Sequence, residues 1–121
     1  MVIKYLNISD HGKDKYTLNL PNDFTMSNND KYIIIRKVRV FNNNGQLDVG
    51  CSLCGDFADE SQYNYGIIDD FILCSNEFNE KEIHIHNTNL RKLEFYFRDY
   101  KGVLIQASDD YYFTLELKLI Y

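Results

Sequence analysis

One proline, two alanines and no tryptophan stand in a chain of 121 residues. So few alanines leave little intrinsic drive toward helix, and ten tyrosines, eight phenylalanines and twelve isoleucines favour strands instead. Cysteine is scarce and odd in number: Cys51, Cys54 and Cys74 cannot close a disulfide framework, and Met1-Val2-Ile3-Lys4 lacks the basic-then-apolar layout of a signal peptide. Reduced thiols in a soluble, unprocessed chain are expected. No stretch approaches the roughly 18 uninterrupted apolar residues of a membrane helix, so no membrane partner is expected. Positive charge is also short. Thirteen basic against eighteen acidic residues give −5, which raises the cost of approaching a phosphate backbone and argues against nucleic acid as a partner. The six glycines are scattered and form neither a Walker loop nor a dinucleotide fingerprint.

Catalytic constellations are missing in the same way. Cys51-Ser52-Leu53-Cys54 has the spacing of half a zinc ribbon or a redox pair, but a second such pair is absent and strand alternation points Cys51 and Cys54 to opposite faces. His84-Ile85-His86 puts two imidazoles on one strand face with Glu82, the best metal candidate in the chain, though solvated histidines are the plainer reading. Ser and Cys lack a nucleophile elbow or a Cys/His signature. Asp69-Asp70 and Asp109-Asp110 are neighbours that a strand would turn to opposite faces, and Asp56, Asp59 and Glu60 lack the ligand alternation of a calcium loop. The expectation is a protein that is not an enzyme, with no catalytic residues, no metal and no cofactor.

What is present is a beat of two. Val2 to Ile8 reads as an edge strand and Asp10-His11-Gly12 as a turn, after which Tyr16, Leu18 and Leu20 alternate until Pro21. Residues 22 to 30 carry no periodicity and read as a surface loop. Lys31 to Phe41 is the longest strand, with Ile33, Ile34 and Ile35 consecutive and so expected to be covered on both faces. Asn42-Asn43-Asn44-Gly45 is the strongest hairpin turn, predicting that the next strand, with Leu47, Val49, Cys51 and Leu53 inward, pairs with the one before. Gly55 to Tyr65 reads as a connection long enough to cross between sheets or hold a short helix. Further strands follow at Ile67 to Cys74, Glu82 to His86, Lys92 to Arg98 and Tyr112 to Tyr121, with Asp99-Tyr100-Lys101-Gly102 as a tight turn.

Eight or nine short strands with one apolar face each require two packed antiparallel sheets. The expected fold is an all-β, two-sheet antiparallel sandwich, jelly-roll-like, forming a single domain over residues 1–121. Arg36, Lys37 and Arg39 are candidates to meet an acidic partner, Lys37 and Arg39 sharing a strand face. Tyr5, Tyr63, Tyr65, Tyr96, Tyr100, Tyr111 and Tyr112 are expected to be exposed, and tyrosine is enriched where proteins bury one another. Interface candidates are therefore Arg36, Lys37, Arg39, Tyr63, Tyr65, Tyr96 and Tyr100, with the loops at 22–30 and 55–65.

The run Leu93-Glu94-Phe95-Tyr96-Phe97-Arg98-Asp99-Tyr100-Lys101-Gly102-Val103-Leu104-Ile105, the strand Phe113 to Tyr121 and the segment Ile68 to Glu77 resemble small β-sandwich virion proteins. These are minor capsid, penton-like and head-auxiliary proteins of double-stranded DNA viruses and crAss-like phages. The resemblance implies a jelly-roll building block of a virion, assembled in the host cytoplasm, a homo-oligomer that meets other virion proteins such as the major capsid protein through sheet edges and loops. A carbohydrate- or receptor-binding sandwich is the alternative, in which Tyr63 and Tyr65 stack on sugars without the usual tryptophan. A cupin-like metal protein using His84 and His86 is a third.

Overall fold

In the computed structural model, residues 1–57, 65–74, 80–85 and 89–121 are described, with residues 57, 65–67 and 69–73 described by their backbone. Among these described residues nine strands form: β1 (Ile3–His11), β2 (Tyr16–Asn19), β3 (Lys31–Asn42), β4 (Gly45–Leu47), β5 (Val49–Phe57), β6 (Tyr65–Cys74), β7 (Lys81–Ile85), β8 (Leu90–Arg98) and β9 (Tyr112–Ile120). A one-turn helix, α1 (Asn22–Met26), and a 3-10 turn at Ala107–Asp109 complete the described elements.

The first sheet runs β1-β9-β3, and the far edge of β3 is shared by β7 along residues 31–35 and by β4 along residues 40–42. The second runs β2-β8-β5-β6. With the short β4 hairpin set aside, the eight remaining strands pair first with last, second with seventh, third with sixth and fourth with fifth, all antiparallel. Such a ribbon of pairs, wrapped so that β9 meets β3 and β8 meets β5, is a jelly roll. The expected all-β sandwich is therefore what the chain adopts.

Between the sheets lies one apolar core. Phe113, Leu115, Leu117, Leu119 and Tyr121 face inward from β9 and its end, Leu93, Phe95 and Phe97 from β8, and Val49, Cys51 and Leu53 from β5. Aromatic rings span the two layers: Phe95 stands edge-on to Phe113 at 5.6 Å, and Phe97 edge-on to Tyr111 at 5.9 Å. These edge contacts match the ring quadrupoles and add to what area burial alone supplies.

Four local expectations change. Residues 22–30 are not wholly a surface loop: Pro21 opens α1, and Phe24, fully buried, plugs the core edge-on to Tyr121 at 5.2 Å. The Asn42–Gly45 turn does form, with φ of 122° at Gly45 and the Asn44 N–H donating to the Asn42 side chain at 2.8 Å, yet pairing across it stops at Leu47. After Asp48 the chain crosses to the other sheet, so Val49, Cys51 and Leu53 reach the core from the opposite layer. The connection after β5 changes neither sheet nor layer, because β5 and β6 pair with each other, Gly55 opposite Gly66 and Asp56 opposite Tyr65; residues 58–64 lie outside the described residues. Finally, Asp10 and His11 belong to β1 and not to a turn.

Candidate functional site

Sequence alternation and one irregularity build the outer face of the first sheet. Ile33, Ile35, Val38 and Val40 all point into the core, which a regular strand cannot do across residues 35 to 38. A β-bulge between Ile35 and Lys37 absorbs the extra residue, and Arg36 is the one inserted. Consequently Tyr32, Ile34, Arg36, Lys37, Arg39 and Phe41 all lie off the core face of β3. Ile34 is thus half-buried on the outside, between Lys118 and Glu82 on neighbouring strands, and not covered as its two neighbours are.

Rows across this face follow from register. Ile3, Ile120, Tyr32 and His84 form the first, Tyr5, Lys118, Ile34 and Glu82 the second, and Asn7, Glu116 and Lys37 the third. The Tyr32 ring stacks on His84 at 4.6 Å and Phe41 on Tyr112 at 5.1 Å. Tyr5, half of whose surface is exposed, receives the Arg36 guanidinium at 5.2 Å and the Lys118 ammonium at 5.9 Å, both within cation–π reach. Acids stand among the bases: Arg36 Nε meets Glu80 at 3.5 Å, and Lys37 lies directly opposite Glu116. A shallow groove of about 220 Å³ runs between Asn7, Ser9, Lys37, Thr114 and Glu116. The face is aromatic and charge-mixed, not a bare basic patch.

The expected interface residues that are described divide among separate surfaces. Arg36, Lys37 and Arg39 come together on the face just described. Tyr96 lies on the outside of the second sheet, opposite Ser52, with the Arg98 guanidinium 5.8 Å from its ring. Tyr65 opens β6 in that same sheet. Tyr100 sits fully exposed at the turn after β8, where the Asp99 carboxylate accepts the N–H groups of Lys101 and Val103 at 2.9 Å. Tyr63 and His86 lie outside the described residues. Tyr111, expected to be exposed, is buried, its hydroxyl donating to the Lys13 carbonyl. Burial pushes that phenol up to about 12.

Ile3, Tyr32, Ile34, Lys118 and Ile120 were not among the expected interface residues. Their signal lay in the off-phase positions of β1 and β9, where Ile3 and Ile120 break the polar half of the alternation. The second sheet holds the reverse surprise: Ser52, Cys54, Asp56 and Glu94 alternate away from the core and are nonetheless buried. Their charges are answered, Glu94 by Lys15 at 3.2 Å and Asp56 by Arg91 at 3.1 Å. All three cysteines are buried, and burial raises the Cys74 thiol to about 12. Among the described residues no group of three or more His, Cys, Asp or Glu side chains could hold a metal, and no helix is long and apolar enough to cross a membrane. In comparisons with family models, curated proteins and solved structures, nothing matches this chain.

Proposed function

We propose that the chain is a non-enzymatic structural protein of a virion, a capsid or head-associated auxiliary or minor capsid subunit that joins copies of itself and neighbouring virion proteins. The observation that carries the reading is the outer face of the β1-β9-β3-β7 sheet. Tyrosine, phenylalanine and arginine, the residue types enriched at protein interfaces, lie there on three strands: Tyr5 on β1, Tyr32, Arg36 and Phe41 on β3, and Tyr112 on β9. Jelly rolls serve both capsid and lectin domains, so the fold alone does not choose between them. The likeness of the segments around Leu93 to Ile105 and Phe113 to Tyr121 to small virion sandwiches favours the former.

Mass measured behind size-exclusion at rising concentration, with and without the particle fraction of the source, tests the reading. Copies that join one another or a shell protein support it. A chain that stays at 14.3 kDa, ignores the particle and binds a glycan panel contradicts it and installs the carbohydrate-binding alternative.

A further inference from the structure

We infer that β1 is a self-complementary edge through which two copies of this chain join their first sheets, pairing antiparallel about Asn7. The inference rests on the assembly reading and names the strand and register that carry it.

β1 bonds to β9 on one side and to no described strand on the other. Its nine residues pair with β9 without a register shift, and they contain no proline. Exposed edges of that length are usually blunted by a bulge, a proline or a central charge. Here the stretch Tyr5-Leu6-Asn7-Ile8-Ser9 carries none of the three. Of the other described edges, β2 has four residues and β7 five, and the ten-residue β6 meets β5 through two register shifts, irregularities of the kind that blunt an edge.

Backbone direction is fixed by the ends of the strand. Val2 exchanges both of its hydrogen bonds with Tyr121, and the Gly12 N–H donates to the Tyr111 carbonyl. Antiparallel bonding alternates, so even-numbered residues turn their polar groups toward β9 and Ile3, Tyr5, Asn7, Ser9 and His11 turn theirs to the open edge. A second β1 centred on Asn7 matches Asn7 with Asn7, Tyr5 with Ser9 and Ile3 with His11, each an odd pair able to exchange two hydrogen bonds. Even residues then face one another without such bonds, Leu6 against Ile8 and Lys4 against Asp10. Faces are preserved, because every partner has the same parity.

Charge selects this register. Lys4 and Asp10 are the ammonium and the carboxylate of β1, and neither is buried. Pairing about Lys4 or about Asp10 would set like charges opposite each other, whereas pairing about Asn7 sets Lys4 opposite Asp10 twice and overlaps all nine residues. In the single chain, among the described residues, Asp10 meets Lys13 at 3.8 Å and accepts the His11 N–H at 2.8 Å. The operation is a two-fold, as an isologous contact requires.

Sedimentation equilibrium on the full chain, the variants Lys4→Glu and Asp10→Lys, and an equimolar mixture of the two tests it. Each variant alone sets like charges opposite one another at both ends and is expected to weaken dimerisation at least about tenfold. Mixing restores opposite charges at both ends and returns affinity to within about threefold of the unaltered chain. Asn7→Cys is expected to form a disulfide-linked dimer on oxidation, since hydrogen-bonded antiparallel partners lie about 5.5 Å apart, and Tyr5→Cys is not. Association left unchanged by either charge substitution overturns the β1 register while leaving the assembly reading intact. A chain that is monomeric alone but joins a particle does the same; one that does neither removes both.

Discussion

Tyr121 is buried, and its hydroxyl donates to Asp23 at 2.7 Å, which holds the Asp23 carboxyl below its ordinary value of 3.8. A carboxyl lowered in the folded chain contributes stability above 3.8 that is lost as pH falls through the lowered value. Tyr121→Phe is therefore expected to move acid unfolding, followed by circular dichroism, to higher pH. Gly12 supports a different kind of contact: a Cβ there would run into the Tyr111 ring, which is packed against Phe97 and tied to Lys13. Gly12→Ala should cost about 1–3 kcal/mol in urea unfolding, the usual penalty for forcing atoms into a packed site. The Cys74 thiol, buried and pushed up to about 12, should ignore a thiol reagent in the native protein and react fully in urea. Alternation placed Cys51 and Phe97 in the core from sequence alone, but it could not place Glu94 or Lys31. Glu94 is off-phase in β8 and yet buried, where it meets Lys15, distant in sequence; Lys31 shares the phase of Ile33 and Ile35, but its charge reads as solvent, and its ammonium donates to the Thr25 carbonyl at 2.8 Å.

Where the beat is unbroken, along β9 and from Leu93 to Phe97 in β8, the core-facing residues were legible, since every second residue there and from Phe113 to Tyr121 is buried. Elements that break it were not. The bulge at Arg36 was hidden in Ile33-Ile34-Ile35, which fits a strand covered on both faces as well as one that shifts phase a residue later. The chain leaves β3 for the other sheet at Asp48, the single residue between β4 and β5, and a strong Asn-Gly turn before it argues for continued pairing. α1 is too short for a helical period. It is held by the Thr25 hydroxyl, which donates to the Leu90 carbonyl at 2.9 Å, by Lys31, and by Phe24 in the core. Phe24→Ala is expected to cost about 3–5 kcal/mol, as large-to-small changes at buried phenylalanines do; a loss within about 0.5 kcal/mol in urea unfolding would mark residues 22–30 as the plain surface loop that their composition suggests.

At the level of the whole molecule, first-with-last pairing ties residues 2 and 121 together, so the jelly roll closes only when both ends of the described chain are in place. The tyrosines that secure this closure set its alkaline limit. Tyr111 and Tyr121 are each raised to about 12, chiefly by burial, from an ordinary 10. A phenol raised in the folded state contributes stability that is complete below pH 10 and lost as pH rises through about 12. Tyrosinate absorbance should accordingly show a fraction that ionises only together with loss of strand signal. Beyond closure, the molecule presents an aromatic, charge-mixed sheet face continued by the open edge of β1, and assembly through that edge is the central claim. Residue-resolved amide hydrogen exchange at low and high protein concentration tests it most directly. Leu6 and Ile8, bonded to β9, should be protected at both, and Tyr5, Asn7 and Ser9 should exchange freely when dilute and slow at least about tenfold when concentrated. Equal exchange of those three amides at both concentrations would contradict it.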